Sequence, residues 1–487
     1  MNPKNETSKL LENDKLLKEE GWEQVCEVIG KDATIALKEL YSLFDERLYL
    51  WLADLYDPIT GGFYCTNAAR DNQGYLPDIQ STAQALAFLN NSGMSMGYGG
   101  WEYALPTNMT DAIAEFVKGL QSPKDGYIYH PQWEGMKYTA SRLGRDVNWV
   151  SEILRPLYNR YLNEYTAKGY SKEEIAELLK KYMPYWDTPA GLKGSMGKPN
   201  ATVTSDQNVV ASTWTSQFRS LDAWRAYLYG GTADGISYPG IALETDSYTA
   251  GNRLAAQTTQ IKQRDREARE NGEPFGYAEL TKEFLDNGVK AHNGLWEDDI
   301  KYNSVNGLMK IVSVYNGMRW ELPYPDKAIQ SAISIANLAE PDIDGKEPIA
   351  AVDVYNPWVC ISGIFINISN YNQTLDTREF ELTWRSVIKE NAASMIRRTT
   401  AKIKKFAKDD GSFGYHWGAP SAHAQGMPVT VPGIVCGDVD GACLSSTGTL
   451  TRIQAALDIK EISPKLFSSC DLEKFIKRVE EKILSIS

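Results

Sequence analysis

The sequence lacks the features that mark membrane-spanning and secreted proteins. No apolar run approaches the roughly 20 residues that a bilayer-spanning helix requires. The first 25 residues, MNPKNETSKLLENDKLLKEEGWEQV, are charged throughout and contain no apolar core of the kind found in secretory signal peptides. We therefore expect a cytoplasmic protein that does not bind a membrane.

Signatures of metal, nucleotide and nucleic-acid binding are also missing. The six cysteines include no C-x-x-C pair, so free thiols are expected. The net charge is −12 with acidic and basic residues intermixed, which argues against nucleic acid as a partner. Phosphate-loop, Rossmann, H-E-x-x-H and G-x-S-x-G motifs are absent. We expect no cofactor and no metal, and only a metal held by scattered carboxylates stays open.

Helical periodicity dominates what is present. Residues 31–57, KDATIALKELYSLFDERLYLWLADLYD, repeat apolar side chains every three or four positions, as a helix with one buried face does. Similar stretches cover 109–120, 170–183, 276–290, 325–339, 381–407 and 471–485. Strand-like alternation is sparse apart from the ambiguous 354–369, and no Pro/Ser-rich linker interrupts the chain. We predict an all-α fold, with an N-terminal helical extension over 1–25 and one domain over 26–487.

A glycine-aromatic turn recurs between the predicted helices. Its clearest copies are DPITGGFYCTNAARD, SPKDGYIYHPQWEG, VKAHNGLWEDDIKYN and KDDGSFGYHWGAPSAH, which begin at residues 57, 122, 289 and 408. GGTADGISYPG, over 230–240, is a looser copy. Because the spacing is irregular, the pattern indicates a degenerate repeat of helix pairs, which is compatible with a closed ring.

These turns resemble those of the α/α toroid superfold, in which inner and outer helices alternate around a ring. DGSFG is similar to the turn of terpene cyclases, prenyltransferase β-subunits and toroid carbohydrate-active enzymes. TGGFY with LPDIQSTAQAL, and later KYNSVNGLMKI, are most similar to toroid polysaccharide lyases of the glucuronan and alginate lyase kind. The resemblance implies an (α/α) toroid with long rim loops and few short strands, whose turns converge on a cleft that binds carbohydrate.

The lyase resemblance implies β-elimination at a uronic acid. That reaction needs groups that neutralise the carboxylate and a base that removes the adjacent proton. Tyr302 is the candidate for base and acid, while Asn303, with His292 or His416 and Arg70, would neutralise charge. The ordinary alternative for Tyr302 is a hydroxyl bonded within the core, since the chain has 27 tyrosines.

Candidates for substrate binding lie in the turns and in the polar segments beside them. They are Arg70, Asp78, Gln80, Trp149, Trp214, Gln217, Asp299, Arg319, Trp320, His423 and Gln425. The tryptophans would stack on sugar faces, although core packing is the commoner role of an indole. The Gly- and Pro-rich segment 412–450 is long for a loop, and we expect it to form a wall or lid of the cleft.

Paired carboxylates offer a rival interpretation. Two acids on opposite faces of a sugar would make a glycoside hydrolase. The candidates are Asp71, Asp78, Asp298, Asp299, Asp438 and Asp440, each of which is also a typical helix cap or turn residue. Tyr302 and a histidine facing one point near Arg70 would favour elimination, whereas two facing carboxylates would favour hydrolysis.

Three further alternatives stay open. Asp438, Cys443 and His423 supply the residue types of a prenyltransferase zinc site, but their spacing follows no zinc pattern. DVDG and WEDD each fall short of the D-x-D-D acid of class II terpene cyclases. A toroid that binds a glycan or peptide without catalysis is the alternative of another class. The oligomeric state is not predicted.

Overall fold

The computed structural model describes residues 18–138, 140–185, 216–338, 350–373 and 375–486. The described chain is mostly helical, as the periodicity predicted. Its longer helices are α1 (Lys31–Tyr41), α2 (Glu46–Asp54), α3 (Ile79–Asn91), α4 (Thr107–Leu120), α5 (Ala140–Ala167), α6 (Leu221–Tyr229), α7 (Ser247–Asn271), α8 (Tyr277–Gly288), α9 (Tyr302–Met318), α10 (Pro325–Asn337), α11 (Ala351–Tyr371) and α12 (Thr377–Lys404). The last three are α13 (Val439–Cys443), α14 (Thr449–Ala456) and α15 (Ser469–Ile486).

The remaining elements are short. Residues 18–29 are helical, and further single turns lie at Asn67–Arg70, Met96–Tyr98, Trp101–Ala104, Pro131–Trp133, Lys172–Leu178, Leu179–Tyr182 and Ser216–Phe218. A π-helical turn, Leu444–Gly448, joins α13 to α14. Two antiparallel hairpins pair β1 (Gly231–Ala233) with β2 (Ile236–Tyr238) and β3 (His423–Ala424) with β4 (Met427–Pro428). The looser turn copy at 230–240 therefore folds as a β-hairpin.

Local sequence explains where many helices begin. Aspartate side chains at the N-cap accept backbone N–H groups that the helix itself leaves unpaired. Asp45, Asp78, Asp246, Asp376 and Asp438 do so for α2, α3, α7, α12 and α13. Ser171 and Glu174 form a capping box at the start of Lys172–Leu178.

The ambiguous segment 354–369 lies entirely within α11. Among the described helices, α11 alone is long and apolar enough to cross a membrane by length and composition. In the protein, 67% of its most apolar stretch is buried. Its apolar side chains therefore serve the core, which explains why no clear helical periodicity marks the segment.

Helices that are near in sequence pack together, and the first helices also pack against the last. α3 packs against α5 and α13, while α11 packs against α9 and α14, and α9 packs against α7. A second set lies against these helices: α4 on α5, α8 on α7, and both α10 and α12 on α11. α1 packs on α12 and α15 packs on α2. One large apolar cluster fills the space between the helices, with Trp224, Trp296 and Trp358 fully buried in it.

The recurring turns share one backbone geometry. In the first, the Asp57 N–H donates to the Gly62 carbonyl and the Gly61 N–H donates back to the Asp57 carbonyl, both at 2.8 Å. The second and third copies repeat this spacing, and the fourth is one residue shorter. Gly61, Gly126, Gly294 and Gly411 have φ of 86°, 80°, 68° and 85°, a region that favours glycine. The repeat read from the sequence is thus a real structural unit, and it precedes α3, α5, α9 and α13.

Candidate functional site

Several helices and one turn contribute polar side chains that interact with one another, and we call this group the central cluster. Its members come from seven different segments. They are Gln84 of α3, Arg145 of α5, Tyr248 of α7, Lys310 of α9, Asp353 of α11, Tyr415 of the fourth turn and Asp440 of α13. Gln84 bonds to Asp440, while Arg145 and the two tyrosines interact with Asp440 or Lys310 through charge or ring contact. The charge of Asp353 acts on the two tyrosines.

Asp440 is the carboxylate at the middle of the central cluster. Gln84 donates from Nε2 to its Oδ1 at 2.7 Å. Burial raises the pKa of Asp440, against the opposing effects of the Gln84 hydrogen bond, Arg145 and Lys310. A carboxyl group whose pKa is raised in this way is suited to donate a proton.

A glycine explains how the fourth turn reaches Asp440. A Cβ on Gly441 would lie 2.3 Å from the backbone nitrogen of Tyr415, so only glycine permits this approach. The Tyr415 N–H donates to the neighbouring Asp438 carboxylate at 2.6 Å. Tyr415 is therefore fixed beside the first turn of α13, where Asp438 caps the helix and Asp440 enters the cluster.

Two cations of the central cluster, Arg145 and Lys310, form no ion pair within 4 Å with the residues that the structure describes, although the charge of Asp440 acts on both. Arg145 is half-buried, and within the described part of the chain its guanidinium has no ion pair within 4 Å and no hydrogen bond. The Lys310 ammonium lies 5.5 Å from the centroid of the Tyr248 ring. Burial, with Arg145, lowers the pKa of Lys310 to about 8, and Asp440 opposes the shift. Two such cations form a place where a ligand carboxylate would gain charge-assisted hydrogen bonds.

Tyr248 and Tyr415 place phenol groups in the same space. Burial raises the pKa of both, and the charges of Asp353 and Asp440 raise it further, while Arg145 opposes the shift at Tyr248. Both phenols are therefore protonated at neutral pH and serve as hydrogen-bond donors. Both carboxylates therefore lie within electrostatic range of both phenols.

Asp353 is held by a relay of amides. Asn306 of α9 donates to its Oδ1 at 2.7 Å, and the Ala350 N–H donates to Oδ2 at 2.9 Å. Asn356, one helical turn along α11, donates to the Asn306 Oδ1 at 2.9 Å. Hydrogen bonds of this kind stabilise the ionised carboxylate and fix its orientation.

Arg142, Asp146, Asp78 and Gln80 form a second polar network, which is buried. Arg142 donates from Nε to Asp146 at 2.9 Å and lies 3.6 Å from the Asp78 carboxylate. It also donates to Gln80 and to the Ala424 carbonyl, each at 3.4 Å. Burial raises the pKa of Asp146 to about 6, although Arg142 opposes the shift. Asp78 and Gln80, expected to bind substrate, are 3% and 5% exposed and belong to this network.

Two of the predicted catalytic residues lie beside the central cluster. Tyr302 begins α9, and its hydroxyl makes no hydrogen bond with any residue that the structure describes. Burial, with a smaller effect from Asp353, raises the Tyr302 pKa, which disfavours a role as base. His416 follows Tyr415 directly, and its backbone pairs with Ala350.

The other two predicted catalytic residues lie on the exposed third turn. His292 Nε2 is 3.1 Å from the Asp298 carbonyl, and Asn303 donates to Glu297 at 3.4 Å. Asp299, predicted to bind substrate, forms an exposed ion pair with Lys301 at 2.7 Å. These contacts hold the turn together and are separate from the contacts of the central cluster.

Arg70 and Arg319 lie apart from Tyr302. Arg70 pairs with Asp71 at 2.8 Å and also donates to the Asp54 carbonyl at the end of α2. Arg319 caps the opposite end of the 17-residue helix that Tyr302 begins, about 25 Å away along the axis. Within the described residues, no hydrogen bond or ion pair joins Arg70 to Tyr302.

The remaining sequence candidates occupy varied positions. Trp149 is half-buried one helical turn after Arg145, and Trp320 packs edge-on against Tyr315 with centroids 5.9 Å apart. Gln217 donates to Gln257 at 3.1 Å. His423 and Gln425 lie in the β3–β4 hairpin, inside the segment expected to form a lid. Trp214 lies outside the described residues.

Sequence reasoning missed most of the central cluster. Asp440 was named only as a member of a possible acid pair, and Gln84, Arg145, Tyr248, Lys310, Asp353 and Tyr415 were not named. One available signal was the spacing of α5, where Arg142 and Asp146 share one face while Arg145 and Trp149 share another. Within the described ranges, no group of three or more His, Cys, Asp or Glu side chains is arranged to hold a metal ion.

Comparison with protein-family models, with curated proteins and with solved structures returns no match for this chain.

Proposed function

We propose that the protein is an (α/α) toroid enzyme that hydrolyses an acidic saccharide in the central cluster. Support for the toroid comes from packing: α13 and α14 contact α3 and α11, α9 contacts α11 and α7, and α3 contacts α5. The charge of Arg145 on α5 acts on Tyr248 of α7, which supports α5 and α7 as the remaining pair of neighbours in the ring. Each inner helix of this ring would follow an outer helix, with the recurring turns at one rim.

The observation that carries hydrolysis is the presence of Asp353 and Asp440 around the same two phenols. Asp440, with its raised pKa, would protonate the glycosidic oxygen as the bond to the anomeric carbon breaks. Asp353, held by Asn306 and the Ala350 N–H, would accept a proton from the water that attacks that carbon. The products are a free reducing end and the released sugar.

Arg145 and Lys310 support an acidic substrate. Neither cation forms an ion pair within the described residues, so a uronate carboxylate would gain charge-assisted hydrogen bonds from both. Tyr248 and Tyr415 would donate hydrogen bonds to the same ligand. We therefore expect binding to weaken strongly when the carboxylate of the ligand is esterified.

β-Elimination is the second candidate, and Lys310 is what favours it. With a pKa of about 8, Lys310 is partly neutral near pH 7.5 and is a better base than the protonated Tyr302. Lys310 would remove the proton beside the uronate carboxylate, Arg145 would stabilise the resulting anion, and Tyr248 would protonate the leaving oxygen. The product would carry a new carbon–carbon double bond conjugated with the carboxylate.

One experiment separates the two reactions. Acidic oligosaccharides are incubated with the wild type, Asp440→Asn and Lys310→Met, and both reducing ends and ultraviolet absorbance are followed. Hydrolysis predicts new reducing ends without an absorbance rise, and a loss of about a hundredfold or more in Asp440→Asn. Exposed Asp234→Asn is the matched control and should leave turnover unchanged.

The other outcomes are equally informative. An absorbance rise that survives in Asp440→Asn and disappears in Lys310→Met would replace hydrolysis with elimination. Saturable binding by the wild type without either product would indicate a noncatalytic glycan-binding protein. Equal activity on a methyl-esterified ligand would contradict the role given to Arg145 and Lys310.

A further inference from the structure

The helix that carries Asp440 contains an irregular turn that the proposed reaction does not explain. α13, the π turn and α14 form one continuous helical segment, and all cap positions within it have helical dihedral angles. A π turn contains about one residue more than an α turn, so it rotates the side chains before it by about 100° relative to those after it. Asp440 lies just before the π turn, and Arg452 lies after it.

Side chains stabilise the widened turn from within. The Thr449 hydroxyl donates to the Leu444 carbonyl, five residues earlier, at 2.7 Å. The Ser446 hydroxyl donates to the Ala442 carbonyl at 2.6 Å. The Thr449 backbone N–H donates to the same Leu444 carbonyl, which is the i+5 spacing of a π turn. The turn is therefore specified by sequence and is not a frayed helix end.

Glycine at position 448 fits the π turn against α11. A Cβ at Gly448 would lie 2.9 Å from the Cys443 carbonyl oxygen and 3.4 Å from the Tyr355 ring. Tyr355 is two residues beyond Asp353, and its hydroxyl accepts a hydrogen bond from Arg452 at 3.3 Å. Tyr355 of α11, the helix of Asp353, thus lies next to the last residue of the π turn and is bonded to α14 beyond it.

We propose that the π turn at 444–448, through Gly448, sets the position of the Asp440 carboxylate relative to Asp353. Gly448 is a positioning residue, because it leaves the space that the Cys443 carbonyl and the Tyr355 ring occupy and acts on the reaction only through them. The proposal rests on the proposed function where it concerns catalysis, but the position of Asp440 is measurable without any substrate. A regular α turn here would rotate Asp440 away from Gln84 and Lys310.

The test compares Gly448→Ala with Gly119→Ala. Gly119 is also helical, and a Cβ there meets no atom within 4 Å. The Asp440 carboxyl is titrated by carbon NMR in aspartate-labelled protein and assigned by its loss in Asp440→Asn. We expect Gly448→Ala to shift the Asp440 pKa by about 0.5 unit or more, while Gly119→Ala leaves it unchanged. With an active substrate, kcat should fall about ten- to a hundredfold in Gly448→Ala with little change in KM.

Thr449→Val provides a milder second variant if Gly448→Ala does not fold. It removes the hydroxyl that bonds to Leu444 while keeping a side chain of similar shape. We expect the Asp440 pKa to shift in this variant too. An Asp440 titration in both folded variants that matches Gly119→Ala would overturn the proposal. An inactive wild type with a shifted titration would contradict only the proposed function.

Discussion

Arg142 and Arg145 lie less than one helical turn apart on α5, yet their surroundings differ completely. Arg142 is 0% exposed and contacts Asp146, Asp78, Gln80 and the indole of Trp133, whose centroid is 4.6 Å away. Arg145 is half-buried and, as far as the structure describes the chain, has no ion pair. The protein thus provides carboxylate partners for the Arg142 guanidinium, whereas the Arg145 guanidinium is available to a ligand under the function that we propose.

Two lysines repeat the contrast. Lys402 is 2% exposed and donates to the carbonyls of Ile335 and Ala336 at the end of α10, at 3.1 and 3.4 Å. Lys310 has a similarly lowered pKa of about 8 but remains partly exposed in the central cluster. Burial therefore identifies the unusual cations of this fold, and the presence or absence of protein partners separates the cation held by the core from those that we propose to bind a ligand.

The largest expected effect on stability concerns Arg142. Arg142→Met would leave the carboxylates of Asp146 and Asp78 buried without their cation, which typically costs about 3–5 kcal/mol. Chemical denaturation measures the change in the free energy of unfolding. Arg47→Met, which removes an exposed ion pair with Asp45, is the control and should cost less than about 1 kcal/mol. If Arg142→Met lost as little stability as Arg47→Met, the structural role that separates Arg142 from Arg145 would be contradicted.

Lys402 predicts a pH dependence of stability. Burial lowers its folded pKa from 10.5 to about 8, so between these pH values the unfolded chain binds a proton that the folded chain does not. Stability contributed by this group therefore rises with pH across that window, by up to about 1.4 kcal/mol per pH unit, and is constant below and above it. Lys402→Met should lack this slope when unfolding is measured from pH 7.5 to 10.5.

The comparison with Lys310 sharpens this prediction. Lys310→Met should remove a similar slope, because the pKa of Lys310 is also lowered to about 8. At pH 7.5 Lys402→Met should be less stable than Lys310→Met, since only Lys402 bonds to backbone carbonyls in the core. Equal stability of the two variants at pH 7.5 would contradict the structural role given to Lys402.

The sequence predicted the fold far better than the site, for a physical reason. Helical periodicity and the glycine of each turn are local signals, so the helices and the recurring turn were confirmed by the structure, except that 31–57 forms two helices, α1 and α2. The central cluster instead depends on which helix faces meet. Asp78 and Gln80 stand in a conspicuous polar motif but bond to Arg142, whereas Lys310 interrupts an apolar helix without any motif. A local sequence pattern does not show which side chains from distant helices come into contact.

The smallest expected effect on stability, and the one most informative about function, concerns Arg145. Arg145→Met removes no ion pair or hydrogen bond within the described residues, so the free energy of unfolding should change by no more than about 0.5 kcal/mol. Affinity for an acidic oligosaccharide should fall about ten- to a hundredfold, as expected for a lost charge-assisted hydrogen bond. Calorimetric binding and denaturation of the same samples measure both quantities. Arg142 lies on the same helix, so Arg142→Met is the matched comparison. An equal loss of stability in Arg145→Met would mean that both arginines stabilise the fold, and it would contradict the ligand-binding role that we propose for Arg145.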